Sequence, residues 1–543
     1  MKISLKTPQT IAVGKFFPTF VFIFEFLLAA LQAPWDVDAH HDGIVYAAAV
    51  AASEGRMPNS GYFQQYGPFA STLQGGFLSL FPPTLYSLRL LTSLTVAVIG
   101  FLLFIAGRKT LGNLGAFSVS LLWTLSSPRM HGAMLPWSSF YSTILLIIAI
   151  VSIKRYSKVT LLRLNLGYLI ASICIFLACL SRINALGTLL ALVFVALISK
   201  NWHALKSVFL GFTIAALSFV VIALQFNFLH DYLYQCIIWA FNTYSTSGAE
   251  DMKGHIVNIL MYLTIPFFGL SVLILSKFIQ NRFFLALISA FLLGTLYFQN
   301  LKSSHESYAN PLYLFSFISQ HSHYMFSYFG IFICLFFLIK NFSSFREHKD
   351  AIAIAAIGAS TLSQLFPTPD PLHLWWVAPV ALIAFYNLSP KSLNVLWIRA
   401  HVSGMAKLAA ILSLVMFILL VNESRIQRFP LQSTVLKGMQ GTTQVDSNLD
   451  QTLILLEKVA IKNKASFDCP DGIYAVSHEG YLPANKDFVN WSPDPEQSLW
   501  ESEYIFACNS KRPSSDYLKN MNYELVFEVT TNNGYNFLAK REA

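Results

Sequence analysis

One ten-residue segment concentrates the acid–base chemistry of this chain: Pro34-Trp35-Asp36-Val37-Asp38-Ala39-His40-His41-Asp42-Gly43. Asp36, Asp38 and Asp42, with His40 and His41, bring three carboxylates and two imidazoles together just past a long apolar run. Carboxylates so placed can take a proton from a hydroxyl or ligate a hard divalent cation. The histidines can bind metal too, but sequence neighbours point apart on regular structure, so a cation has no assigned ligand set. A solvated loop at a membrane surface is the plainer reading. The density of the cluster, and its place against an apolar span, favour chemistry.

Other polar segments fit the same region. Ser126-Ser127-Pro128-Arg129-Met130-His131-Gly132 offers Arg129, and Ser181-Arg182-Ile183-Asn184 forms a tight polar turn between two apolar runs. A guanidinium at that depth is costly unless paired or hydrated. Phosphate oxygens would suit the fork of Arg182, and a snorkelling anchor fits equally well. In Phe366-Pro367-Thr368-Pro369-Asp370-Pro371-Leu372-His373-Leu374-Trp375-Trp376 the prolines stiffen a turn that carries Asp370 and His373 near the surface. The tryptophans there also suit an interfacial belt. The charged segments 247–255 and 305–307 read as closing loops or as plain linkers. No P-loop, dinucleotide fingerprint, HExxH or GxSxG is present, which argues against ATP-driven transport and nicotinamide chemistry.

These residues must be positioned by membrane helices. Of the 543 residues, 55% are hydrophobic and 12% charged, about half the charged fraction of a soluble domain. The apolar residues come in runs that match a bilayer core about 30 Å thick. We expect an all-α polytopic membrane protein of about 13 spans, at 14–33, 85–106, 113–127, 138–153, 164–180, 184–199, 206–226, 256–276, 283–298, 323–340, 351–366, 375–388 and 408–422. The first run reads as a retained span rather than a cleaved signal. The net charge of +9 sits in short clusters between spans, which is topology rather than nucleic-acid binding. Placing Lys2, Lys6 and Lys15 in the cytoplasm puts Arg108-Lys109, Lys154-Arg155-Lys158-Arg163, Lys200-Lys206, Lys277-Arg282, Lys340-Arg346-Lys349 and Lys391-Arg399-Lys407 on that side. Arg56, Arg89, Arg129, Arg182, Lys253 and Lys302 then lie outside, with nearly all the loop acids.

Residues 1–422 therefore read as the membrane module, with a first outer loop at 34–84 and an interfacial helix over 44–53. Residues 423–543 read as a small extracytoplasmic α/β domain, with alternating runs at 472–476 and 523–527. Cys174, Cys179, Cys236 and Cys334 suit apolar packing. Cys469 and Cys508, both in the tail, would pair in an oxidising compartment.

His41-Asp42-Gly43, Tyr46, Ala49, Gly55 and Gln65-Tyr66-Gly67-Pro68 resemble the first periplasmic loop of GT-C-fold membrane glycosyltransferases, which include protein mannosyltransferases, aminoarabinose transferases and oligosaccharyltransferases. Gly43 stands where the second acid of that family's usual Asp-Glu pair would be, and Asp36 or Asp38 is the substitute. The resemblance implies transfer of a sugar from a polyprenyl-phosphate-linked donor in the plasma (inner) membrane to a glycan, lipid or protein acceptor on the extracytoplasmic face. On that reading Asp42 deprotonates the acceptor hydroxyl, with Asp38 and Asp36 as further catalytic carboxylates. Arg129 and Arg182 stabilise the leaving phosphate, and His41, Tyr66, Asp370 and His373 contact substrate. A divalent cation near Asp36, Asp38 or His41 is left unassigned. The rival readings are a secondary transporter or lipid flippase, whose sites would lie at the midplane, and a non-catalytic assembly protein. Among the spans Glu25 is the clearest ionisable residue, and the charges crowd at the faces, which favours an enzyme.

Overall fold

The computed structural model describes residues 8–62, 64, 66–126, 134–161, 164–239, 327, 329–365, 371–388, 396–459, 465–469, 473–474, 503–509, 515–520, 522–531 and 534–542. Long helices dominate: α1 (Pro8–Gln32), α2 (His41–Ser53), α3 (Pro68–Leu78), α4 (Leu85–Leu125), α5 (Ser139–Tyr156), α6 (Leu166–Ser181), α7 (Leu186–Ile198), α8 (Trp202–Gln225), α9 (Leu229–Leu233), α10 (Phe329–Lys340), α11 (Lys349–Ser360), α12 (Pro371–Asn387) and α13 (Leu396–Glu423). The apolar runs expected at 256–276 and 283–298 lie outside the described residues, and the others fall on helices. Among the described residues, four helices are long and apolar enough to cross a membrane: Leu85–Leu125, Ser139–Tyr156, Trp202–Gln225 and Ala406–Glu423. On α8, Phe209, Leu217, Val221 and Leu224 are each more than half exposed. Water would penalise such a stripe, whereas lipid solvates it.

The runs 85–106 and 113–127 are the two arms of α4, which fold back on each other at Gly112 (φ 73), a left-handed conformation that glycine adopts without a Cβ penalty; Ser120 Oγ donates to the Gly100 carbonyl at 2.6 Å between the arms. A helix not expected from the sequence, α3, follows the Tyr66-Gly67-Pro68 turn. Its Gly75-Gly76 pair obscured it, although Pro68 at the first helical position is a start signal. The helix expected over 44–53 is present as α2, beginning at His41. Its alanines (Ala47, Ala48, Ala49, Ala51, Ala52) favour helix and leave room for α3: a Cβ on Gly75 would strike Ala52.

After α13 the chain makes the short pair β3 (Phe429–Pro430) and β4 (Gln440–Gly441), then helix α14 (Gln444–Val459). Leu449, Leu453 and Leu456 share one buried face of α14, the spacing of an amphipathic helix. A four-stranded sheet follows in the order β5-β6-β8-β7, with β5 (Ala465–Asp468) parallel to β6 (Tyr504–Asn509). The hairpin β7 (Tyr523–Thr531) and β8 (Gly534–Arg541) completes it, and helix α15 (Ser515–Asn520) lies between β6 and β7. The run expected to be a strand at 472–476 differs: its described part, Ile473-Tyr474, is a helical turn. Both side chains are buried in the seam described next, and that packing overrides their β-propensity.

The tail packs on the first loop. Leu431, Leu436, Leu453, Ile473 and Phe506 share one core with Tyr46, Ala49 and Leu88. Main-chain bonds stitch the same seam, Asp36 N to Gln440 O at 2.9 Å, Gln440 N to Pro34 O at 2.7 Å and Ile473 N to Ala39 O at 3.2 Å. The Arg428 guanidinium caps the Trp35 ring at 4.2 Å. The tail and the polar cluster therefore share one face of the helical module.

Cys469 and Cys508 are disulfide-bonded across 39 residues, and the other four cysteines are free and buried. A loop of that length stabilises the folded tail by about 3–4 kcal/mol on the chain-entropy model. Cys469→Ser is expected to lower the melting temperature of the purified protein, and alkylation of Cys469 and Cys508 should require reductant. Alkylation without reductant would refute the bond.

Candidate functional site

Asp42, expected to be the base, is fully buried, and its carboxylate is engaged on both oxygens. Arg89, in the second turn of α4, donates from Nε to Asp42 Oδ1 at 3.3 Å and from Nη2 to Oδ2 at 2.5 Å. Both side chains have no solvent exposure. The Asp38 amide donates to Asp42 Oδ2 at 2.9 Å. Arg89 Nη1 reaches the carbonyls of Ala33 (3.3 Å) and Trp35 (2.6 Å). Burial pushes the Asp42 carboxyl above the usual carboxylate range, while the charges of Arg89 and His41 pull it back. This pair ties the end of α1, the loop 34–40 and the start of α2 to α4. Arg89 counted only as a flanking topology charge in the sequence, where nothing marks its partner 47 residues away.

Asp38 takes the accessible position. Its Oδ1 accepts the His41 amide at 2.8 Å, an N-terminal capping bond for α2, and both its oxygens lie 3.1 Å from His41 Nδ1. An ionised carboxylate only accepts, so in this pair the His41 proton sits on Nδ1 and Nε2 becomes the basic nitrogen. The two side chains are 20% and 35% exposed. Asp36 is turned elsewhere: it sits at φ 44 and accepts from Thr442 Oγ1 at 3.1 Å.

An aromatic strip connects His41 to the second half of the site. Its ring lies 5.5 Å from Trp137, which contacts Tyr66 at 5.3 Å and stacks on Trp376 at 6.0 Å, 8° from parallel. Trp376 meets His373 at 5.3 Å and lies under the Arg182 guanidinium at 5.4 Å. Arg182 donates from Nη1 to Ser139 Oγ and from Nη2 to His373 Nε2, each at 2.6 Å. Around it, Ser138 Oγ, Ser181 Oγ and Trp376 Nε1 are buried with no hydrogen-bond partner among the described residues. Buried polar groups are nearly always satisfied, so these atoms suit substrate hydroxyls or water.

The scaffold fixes these groups by reciprocal contacts. Trp123 Nε1 donates to the Trp375 carbonyl at 2.8 Å, Trp375 Nε1 returns the bond to Trp123 at 2.9 Å, and the rings stack. That clamp sets the start of α12, with His373 and Trp376, against the end of α4. Gln74 Nε2 holds the Pro136 carbonyl beside Trp137 at 2.7 Å. Gly67 presses on the end of α6, where a Cβ would overlap the Leu180 carbonyl. Gly67→Ala is therefore expected to displace Tyr66 and cost roughly 1–3 kcal/mol, seen as a lower melting temperature. An unchanged melting temperature would mean that the contact is dispensable.

The structure thus brings together Asp38, His41, Tyr66, Arg182 and His373, sets Asp42 beneath them, and turns Asp36 to the tail. Arg129 and Asp370 lie outside the described residues. Trp137, Trp376, Ser139 and Arg89 are additions; Trp376 reads in sequence only as an interfacial residue. Among the described residues no group of three or more His, Cys, Asp or Glu side chains stands ready to hold a metal. Of the residues considered for a cation, Asp36 accepts from Thr442 and Asp38 faces His41 Nδ1, and no step below runs through a metal.

No protein-family model and no curated protein matches the sequence. Solved structures do align with it. ArnT from Cupriavidus metallidurans, bound to undecaprenyl phosphate, matches with a TM-score of 0.47 and 12% identity over 97% of this chain and 98% of its own. The Archaeoglobus fulgidus oligosaccharyltransferase, complexed with zinc and sulfate, matches with a TM-score of 0.45 and 14% identity over 86% of this chain. The same enzyme, tethered to an acceptor peptide containing the NVT sequon, matches with a TM-score of 0.44 and 14% identity over 83% of this chain. The chain spans 58% of the oligosaccharyltransferase's length. In structure, this chain aligns over most of its length with ArnT and with an oligosaccharyltransferase.

Proposed function

We propose that this protein is a GT-C-type glycosyltransferase of the plasma (inner) membrane. It would move a sugar from a polyprenyl-phosphate carrier to an acceptor hydroxyl or amide on the extracytoplasmic face. The observation that carries this reading is the pairing of an oriented base, Asp38–His41, with a desolvated guanidinium, Arg182, along one aromatic strip. The donor class is the one implied by the first-loop resemblance, and the topology is the 13-span arrangement with the tail outside.

In this scheme Asp38 holds His41 through Nδ1, and His41 Nε2 takes the acceptor proton as the nucleophile attacks the anomeric carbon. The leaving group is a lipid phosphate, which departs as an anion and needs charge stabilisation more than protonation. Arg182 supplies this, preset by Ser139 and His373. Trp137 and Trp376 offer apolar faces against which a sugar ring and its carrier can lie. Asp42 does not exchange the proton in this scheme; with Arg89 it holds the Asp38 loop in place.

The test is transfer from a radiolabelled polyprenyl-phosphate sugar in vesicles containing the protein. Turnover of at least one such donor supports the reading. No transfer with any lipid-linked sugar would move weight to transport, where Glu25 is the residue to examine: it is buried in α1 and bonded to Ser120. Labelling of a C-terminal tag from outside intact cells or spheroplasts checks the topology, and protection from outside would break it.

A further inference from the structure

The far end of the helical module carries a second polar feature, unrelated to the reaction proposed above. Helix α5 starts at Ser139, beside Arg182, and its 18 residues carry the chain about 27 Å away. Helix α6 runs back over the same span to Ser181. Where α5 ends and α6 begins, a cavity of about 660 Å³ opens, bounded by the loops before α6, α8 and α11. Its wall includes Asn165, Asn201, His203, Arg346, His348 and Lys349.

Arg346 and Lys349 are the fixed cations of this wall, matched in number by Glu347 and Asp350. Arg346 and Lys349 make no ion pair among the described residues. Lys158 and Lys200, on the loops before α6 and α8, and Lys206, within α8, are exposed. Two acids line the cavity as well. Asp350 is engaged by the Ser157 hydroxyl at 2.6 Å and the Tyr168 hydroxyl at 3.1 Å, and Glu347 is exposed. Three helices begin at the wall: α6 after Asn165, α8 after Asn201 and α11 after His348. Each turns its positive end to this region. Asn165 and Asn201 spend their side-chain oxygens capping their own helices, so the capping oxygens already in place do not fill the cavity.

We propose that this cavity is a phosphate-binding site, for the headgroup of an anionic phospholipid or for a soluble phosphoryl compound. Arg346 offers a fork to two phosphate oxygens, Lys349 adds a point charge, and the cavity volume falls within the usual range for a bound small molecule. Its place at the end of the apolar helices is where lipid headgroups lie, and basic pockets between membrane helices take anionic headgroups. The site does not depend on the sugar-transfer reading.

The full-length protein tests it, beside the double variant Arg346→Gln/Lys349→Gln. Native mass spectrometry from nanodiscs would compare retention of phosphatidylglycerol with phosphatidylcholine, and calorimetry in detergent would measure inorganic phosphate and pyrophosphate against chloride. The melting temperature of both proteins in phosphatidylcholine checks that the variant is folded. Preferential retention of phosphatidylglycerol, reduced about tenfold in the folded variant, assigns a lipid headgroup. Saturable phosphate or pyrophosphate binding with the same loss, and no lipid preference, assigns a soluble ligand. If neither anion exceeds its control, or if the folded variant binds either as well as the parent, the proposal is overturned.

Discussion

Replacing Arg89 by methionine is expected to destabilise the protein by about 3–5 kcal/mol, the usual cost of stranding one partner of a buried ion pair. The loss has two parts. Asp42 would be left fully buried with only the Asp38 amide on its carboxylate, and the carbonyls of Ala33 and Trp35 would lose their shared donor. Asp42→Asn keeps an acceptor and should cost less. The double variant Asp42→Leu/Arg89→Met removes both charges and should recover most of the stability, because well-packed apolar replacements of buried pairs are often neutral. Thermal unfolding of the parent, Arg89→Met, Asp42→Leu and the double variant in one detergent closes the cycle. A change under about 0.5 kcal/mol for Arg89→Met would show that the pair does not organise the first loop. The loop 34–40 also carries the seam to the tail, so limited proteolysis between residues 424 and 444 should accelerate in Arg89→Met and return to parent rates in the double variant.

The second large effect concerns turnover. Asp38→Asn and His41→Gln are each expected to reduce kcat for sugar transfer by about 10²- to 10⁴-fold, the usual range for losing a positioned base. Because the two side chains act as one unit, the double variant should be little worse than either single. Arg182→Gln is expected to cost about 10²- to 10³-fold, as the loss of an electrostatic donor aimed at developing charge does. Melting temperatures separate these effects from unfolding: Asp38 and His41 are partly exposed, so their variants should stay near the parent. Arg182→Lys is the informative companion, since an ammonium keeps the charge but lacks the planar fork that reaches Ser139 and His373 from two nitrogens, and only partial recovery is expected. Parent-like transfer by Asp38→Asn and His41→Gln would remove the dyad from the mechanism, and a large loss in Asp42→Asn with an unchanged melting temperature would return the base to Asp42.

Several features are legible in the amino-acid sequence alone, each for a local reason. The apolar runs give helices because backbone groups in lipid must be bonded within their own segment. The first-loop cluster stands out because so many ionisable residues are crowded beside a span. Cys469 and Cys508 are the two cysteines of the polar tail, and they pair. Arg182 is recognisable because a guanidinium between two apolar runs needs a partner. Helix α3 is hidden because its packing rests on Ala52 meeting Gly75, which leaves no apolar periodicity to detect.

By itself, then, the sequence determined that this is a helical, membrane-type chain with a small α/β tail, and which segments gather its ionisable residues. It could not rank Asp36, Asp38 and Asp42, since three carboxylates crowded into one short loop look alike as a string. Tertiary structure separated them by what lies opposite each: Arg89 from α4 for Asp42, Thr442 from the tail for Asp36, and the His41 ring for Asp38. The Trp137–Trp376 strip likewise exists only because the start of α5 and the start of α12 pack together, although they lie far apart in the chain. Long-range partners decide burial, and burial decides whether an acid is a strut or a base.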